Sequence, residues 1–238
     1  MIMNTTLYTA DSRGYNDLGW LRSHHTFSFG HYFDPDRVHF GALRVFNDDT
    51  VIGGRGFGTH PHDNMEIISI PLEGTLMHRD SMGHEQGLRP GDVQVMSAGT
   101  GLTHSEYNGS ADSDLKFLQI WVIPKVRNVA PRYDEVHLSD ADGAGAFHTV
   151  VGPEGGGHPL FIHQDAYLSI ARFEAGASAS YALHNDANGT FTFVIEGAAT
   201  VNGIALARRD AVGITDVTSI DVSAPVASTV ITIEVPML

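Results

Sequence analysis

Gly58-Thr-His60-Pro-His62-Asp-Asn-Met-Glu66 and, further on, Met96-Ser-Ala-Gly-Thr-Gly-Leu-Thr-His104-Ser-Glu106-Tyr-Asn108 are the stretches that decide this sequence. Each holds two metal-ligand-type side chains at i and i+2. Side chains alternate faces along an extended strand, so each pair projects to one side. Pro61 has no N–H to give a ladder, which puts its strand at an edge or a bulge. Gly53, Gly54, Gly56 and Gly58 crowd the approach to the first pair. If the two pairs lie on adjacent strands, three imidazoles and one carboxylate surround a point. That donor set suits Fe(II), Mn, Co, Ni, Cu or Zn without choosing among them, and an octahedral ion would keep open positions.

Outward from these motifs, the chain is a series of short apolar runs broken by Gly, Pro, Asn and Asp. Examples are Glu66-Ile-Ile-Ser-Ile-Pro71, Val93-Gln-Val-Met96, Leu115-Lys-Phe-Leu-Gln-Ile-Trp-Val-Ile123 and Thr190-Phe-Thr-Phe-Val-Ile195. They are rich in β-branched and aromatic residues, which predicts an all-β protein of sandwich or barrel type. No long 3.6-residue period occurs, although a turn of helix fits Tyr15 to Leu21 or Asp140 to Ala146. The C-terminal run Thr229 to Val235 needs a strand neighbour, in this chain or another. A stretch with two prolines and three basic residues, from Pro124 to Tyr133, reads as a linker. It divides the chain into domains at 1–128 and 129–238. A faint repeat supports two copies of one unit: Ile70-Pro-Leu-Glu-Gly-Thr-Leu is matched by Phe193-Val-Ile-Glu-Gly-Ala-Ala, and an Asp-containing turn follows each, at Asp92 and Asp210.

Composition removes several function classes. The chain of 238 residues has 28 acidic and 14 basic side chains, a net charge of −14, and no basic run, so direct nucleic-acid binding is disfavoured. It has no cysteine, which excludes disulfides, thiolate ligands and cysteine nucleophiles. The N-terminus lacks the charged and apolar regions of a signal peptide, and no apolar stretch is long enough to span a membrane. A cytoplasmic protein is expected.

The motifs resemble the paired motifs of the cupin superfamily. The resembling residues are Gly54, His60, His62, Glu66 and Gly74 in the first, then Gly91, Ser97, Gly99, His104 and Asn108 in the second. The inserted Thr100-Gly101 and several neighbouring strings resemble the pirin family in particular. These strings are Trp20 to Gly30, Leu43 to Asn47, Thr59 to Glu66, His78-Arg-Asp-Ser-Met-Gly83, Arg89 to Gln94 and Met96 to Glu106.

That resemblance implies two cupin β-barrels in tandem, with one divalent transition metal in the first. Fe(II) is the leading candidate, with Zn, Cu, Ni, Co or Mn as alternatives. The ligands fall on His60, His62, His104 and Glu106. Glu66, the ligand position of cupins in general, becomes a residue that holds a histidine tautomer. The second half offers only His184 where a ligand pair would lie, so it is expected to be structural. The resemblance also implies dioxygenase chemistry: cleavage of flavonols such as quercetin with O2, with Glu106 as ligand or general base. The alternative is a metal-binding module that engages a protein partner without turnover. Phe29, Phe46, Phe57 and Met96 are candidate cavity walls. His31, His39, His78 and His84 are placed near its mouth. His24 and His25 are core or wall residues, and Phe117 and Trp121 core residues. His137, His148, His158 and His163 are assigned to surface or core.

Overall fold

A computed structural model describes residues 3–238. Its first half contains β1 (Asn4–Tyr8), β2 (Gly14–Asp17), β3 (Leu21–His25), β4 (Leu43–Val51), β5 (Gly56–His62), β6 (Glu66–Glu73), β7 (Leu76–Asp80), β8 (Glu85–Leu88), β9 (Asp92–Ser97), β10 (Leu102–Asn108) and β11 (Leu115–Val122). The second contains β12 (Arg132–His137), β13 (His148–Pro153), β14 (Leu160–Ile162), β15 (Tyr167–Phe173), β16 (Ser178–Ala182), β17 (Asn188–Glu196), β18 (Ala199–Val201), β19 (Ile204–Leu206), β20 (Ala211–Thr215), β21 (Ser219–Ser223) and β22 (Ser228–Pro236). Among the described residues the sole helical element is a 3-10 turn at Ala10–Ser12. Neither stretch where a turn of helix was admitted contains one. No helix is long and apolar enough to cross a membrane.

The strands form two cupin units, each a seven-stranded sheet facing a four-stranded one. In the first unit the orders are β12-β9-β6-β11-β4-β3-β2 and β5-β10-β7-β8; in the second they are β1-β20-β17-β22-β15-β13-β14 and β16-β21-β18-β19. The orders correspond strand for strand, apart from the last edge, where β14 runs parallel to β13 while β2 runs antiparallel to β3, so the faint sequence repeat marks a real one. β6 ends at Glu73 and β17 at Glu196, and the glycine after each, Gly74 or Gly197, has φ near +83°, a conformation that favours glycine.

The units exchange their edge strands. β12, which follows the Pro124 to Pro131 coil, pairs with β9 of the first unit; β1 pairs with β20 of the second. A cut between residues 128 and 129 therefore does not separate the two sheets. The C-terminal strand β22 finds both neighbours, β15 and β17, within the chain.

The two large sheets pack face to face through their outward sides. Along β11, Leu118, Ile120 and Val122 enter this shared core, while Leu115, Phe117, Gln119 and Trp121 face the interior of the first unit. Phe46 lies 4.6 Å from Phe193 and 5.1 Å from Phe191, centroid to centroid. Burying a side chain of this size contributes roughly 1.5–3 kcal/mol. A strand with both faces buried thus serves as wall to two compartments.

Candidate metal centre

β5 and β10 are antiparallel neighbours, and His104 pairs directly with His60. β5 is the edge strand of its sheet, where Pro61 needs no ladder partner. Between His104 and Glu106 the register slips, so that His60 to Phe57 on β5 opposes only two steps of β10. The bulge around Gly58 and Thr59 changes the alternation, and Phe57 lines the same interior as His60 and His62.

Three of the four expected ligands come together. The ring centroids of His60 and His104 are 4.4 Å apart, those of His60 and His62 4.8 Å, and those of His62 and His104 4.9 Å. One nitrogen from each lies within 4.8 Å of the others. Glu106 joins a second, overlapping group, within 4.8 Å of donor atoms on His104 and His78. His104 belongs to both groups.

His78 is the residue that sequence reading placed at the cavity mouth. It is instead 1 % exposed, in the interior, with its centroid 5.5 Å from that of His104. Its Nε2 is 3.4 Å from Asp80, and Tyr133 from the exchanged strand β12 stacks on it at 4.8 Å. The alternation of β7 was the available signal: Leu76, His78 and Asp80 are buried while Met77 and Arg79 are exposed.

The hydrogen-bond pattern leaves the imidazoles free to ligate. His60 Nδ1 is 2.8 Å from the Gly58 carbonyl oxygen, which can only accept, so Nδ1 carries the proton and Nε2 a free lone pair. Both nitrogens of His104 are buried without a partner. Burial, reinforced by the neighbouring imidazoles, drives His104 far down, and burial with His60 beside it lowers His62 to about 4. Neutral rings are the ligating form. Glu106 is held by Gln119 Nε2, which donates to Oε2 at 2.8 Å, and by the Ser69 hydroxyl 3.1 Å from Oε1. Burial pushes it up to about 7 against those bonds. Partnerless buried nitrogens are rare in folded proteins, and here they sit beside a carboxyl, so the residues present fit a bound divalent cation.

Glu66 does not hold a histidine tautomer. It accepts from Ser97 Oγ at 2.6 Å, and its charged surroundings are His163 and Arg132. Its neighbour Ile67 packs with Met96 in the first unit's interior, which puts Glu66 on the opposite face of β6.

A cavity of about 410 Å³ opens beside His60, His62 and Glu106. Trp20, Phe29, Phe57 and Trp121 supply its aromatic wall; Asn47, Asp49 and Gln119 supply polar groups. Two of the expected wall residues are elsewhere: Phe46 faces the shared core and Met96 packs on Ile67. Trp121, expected in the core, is at the wall, with its ring 4.9 Å from His62 and 5.4 Å from Phe29. Phe117 is a core residue. His24, His31, His39, His84, His137, His148, His158 and His163 do not line this cavity. His84 stacks on Tyr133 at 4.7 Å. His25 is buried, its Nδ1 3.2 Å from the Phe29 carbonyl oxygen.

Comparison with known proteins points the same way. Residues 7–122 match the Pirin family model and residues 149–235 that of the quercetinase C-terminal cupin domain. The chain is 39% identical to a quercetin 2,3-dioxygenase of Escherichia coli K12 over 97% of its own length and 98% of that protein's. It is 39% identical to a pirin-like protein of Caulobacter vibrioides, over 90% of this chain and 92% of the relative. Among solved structures, the bacterial pirin YhhW from E. coli, in complex with nickel(II), superimposes with a TM-score of 0.92 at 36% identity, covering 99% of this chain and all of that one. By sequence along nearly its whole length and by fold, the chain belongs to the pirin family of two-cupin proteins.

Proposed function

We propose that this protein is a metal-dependent dioxygenase that opens the central ring of flavonols such as quercetin with O2 and releases carbon monoxide. The observation that carries the reading is the cluster of imidazoles, His60, His62 and His104, with Glu106 beside it, opening onto an aromatic-walled cavity of about 410 Å³. That volume is in the range of small-molecule sites. The relatives named for quercetin cleavage supply the substrate class.

His60, His62, His104 and Glu106 would hold one divalent transition metal, with Fe(II) first among the candidates and Zn, Cu, Ni, Co and Mn matched by the same donors. When bound, the ion supplies Lewis acidity that lowers the pKa of a substrate hydroxyl. Glu106 would stay a ligand or, released from the ion, accept that proton as general base, and Gln119 and Ser69 bond its two oxygens. Phe29, Phe57, Trp20 and Trp121 clamp a flat ring system and keep water from it. The second unit serves as scaffold.

The test is loss of quercetin and release of carbon monoxide by protein reconstituted in turn with Fe, Mn, Co, Ni, Cu and Zn, beside a His104→Ala variant. Turnover with at least one metal, abolished in the variant, is expected. Stoichiometric metal binding without turnover for any metal would instead favour a metal-binding module that engages a protein partner.

A further inference from the structure

The metal cluster occupies one side of the cavity. The other side is built by β4 and β11 of the large sheet, and apart from Gln119, which bonds Glu106, its polar groups are not used by the ligands. Asn47 and Asp49 stand at i and i+2 on β4 and both line the cavity. They are 2 % and 3 % exposed. Asn47 Oδ1 is buried and has no hydrogen-bond partner. The Ser23 hydroxyl bonds one oxygen of Asp49, Oδ1, which fixes the carboxyl and leaves Oδ2 to the cavity. The indole Nε1 of Trp121, on the same wall, is also buried and unpartnered.

Buried polar groups without partners cost stability and are rare unless something binds them. At the position of Asp49 the other unit carries an apolar residue instead. There, Ala171 pairs with Val230 as Asp49 pairs with Phe117, and Ala171 lies in a continuous apolar core. Polar side chains two apart on a strand are spaced by about 7 Å, comparable to the span of a hydroxylated benzene ring.

We propose that Asn47 and Asp49 are specificity-determining residues that read hydroxyl groups on the ring system of an aromatic substrate, selecting polyhydroxylated rings over bare ones. The inference rests on the flavonol reading and deepens it. A carboxylate oxygen and an amide oxygen are acceptors, and phenolic hydroxyls are the donors that complete them. A site that loses those donors is left with unpaired buried acceptors, and this is the physical basis of strong discrimination against an unhydroxylated analogue.

The experiment is an anaerobic binding titration of the metal-loaded, full-length protein with two probes. Quercetin carries hydroxyls on several rings, whereas 3-hydroxyflavone carries only the hydroxyl that faces the metal. The wild type is expected to bind quercetin about tenfold or more the tighter. Asp49→Asn, which preserves shape and the Ser23 bond, and Asn47→Leu are each expected to weaken quercetin about tenfold and leave 3-hydroxyflavone and the metal content unchanged. Asp49→Asn decides alone if Asn47→Leu does not fold.

Equal weakening of both probes, or of neither, overturns the inference while leaving the flavonol reading intact. Binding with this selectivity but without turnover under O2 upholds the inference and sinks the dioxygenase step. If the wild type binds neither probe, both fall.

Discussion

The two units share a strand order and differ in what they put inside it. Matching strands by their place in the sheets aligns the interiors position by position. His104 pairs with His60 across β10 and β5; the matching pair across β21 and β16 is Ile220 with Tyr181. Glu106 pairs with His78; its counterpart pair is Val222 with Val201. The second interior holds one continuous apolar cluster that includes Val201, Ile220 and Val222, beside a buried polar network around Glu234. The first is split into two smaller clusters, one around Leu115 and Phe117 and one around Ile67 and Met96. The imidazoles, the carboxyls and the cavity belong to this split unit. The same sheets can therefore enclose either a packed core or a site, and a few interior side chains decide which.

The largest expected effect comes from erasing the difference at its centre. Replacing His104 with isoleucine, the residue its counterpart carries, removes the nitrogen donor common to both clusters. Metal affinity should fall by more than about 100-fold, beyond the loss typical of changing a residue that only supports a ligand. Turnover should vanish with it. The metal-free variant should be no less stable than the metal-free wild type, because an unpartnered buried imidazole gives way to an apolar side chain. Ile220→Ala should do the reverse: about 2–5 kcal/mol of stability lost to a cavity, with metal content unchanged. Elemental analysis and chemical denaturation of the two variants decide it. Equal metal loss in both would mean that the units do not divide the work.

A second, smaller effect concerns Asp49, whose counterpart is Ala171. Burial pushes Asp49 up to about 7 from its ordinary 3.8, against the hydrogen bond from Ser23. The folded state then holds a proton that the unfolded chain has released, so this group's contribution to stability is highest below pH about 4 and falls as pH rises towards about 7. For the chelated, metal-free protein the whole loss is on the order of 4 kcal/mol. Asp49→Asn should flatten that decline when melting is followed from pH 4 to 8. An unchanged slope would place the titrating group elsewhere.

How much of this was legible in the sequence depended on whether a strand buries one face or two. On β10 the buried and exposed positions alternate, so His104 and Glu106 could be placed on one side from their spacing alone. On β6 almost every position is buried. Ile67 and Ile68 look alike in the sequence yet face different compartments, which is why Glu66 was assigned to the wrong side. Phe46 and Asn47 on β4 posed the same problem, and two-sided burial sent Phe46 into the shared core. The bulge at Gly58 and Thr59 breaks the period of two, so Phe57 joins His60 by a route that simple alternation cannot predict. His78 stood outside any paired motif. The exchange of β1 and β12 is a long-range pairing with no local trace, and it brings Tyr133 onto His78.

The smallest effect tests whether the second unit is only a scaffold. Tyr181 occupies the register position of His60, but its hydroxyl donates to Glu234 at 2.9 Å instead of facing an imidazole cluster. Glu234 is wholly buried, and the backbone N–H groups of His184 and Asn185, the Asn188 amide and the His184 ring also meet it. The lone ligand-type histidine of this unit is thus engaged: its Nδ1 lies 2.9 Å from Glu234, and Tyr167 stacks on its ring at 3.7 Å. Tyr181→Phe removes one of several donors, so it should cost only about 1–2 kcal/mol. In a chain of this length that lowers the melting temperature by roughly 2–8 °C. Metal content and quercetin turnover should stay at wild-type values, because the shared core between the large sheets separates the Glu234 network from the first unit's interior. A drop in either, at unchanged fold, would show that the polar remnant of the second unit is coupled to the metal centre through that core.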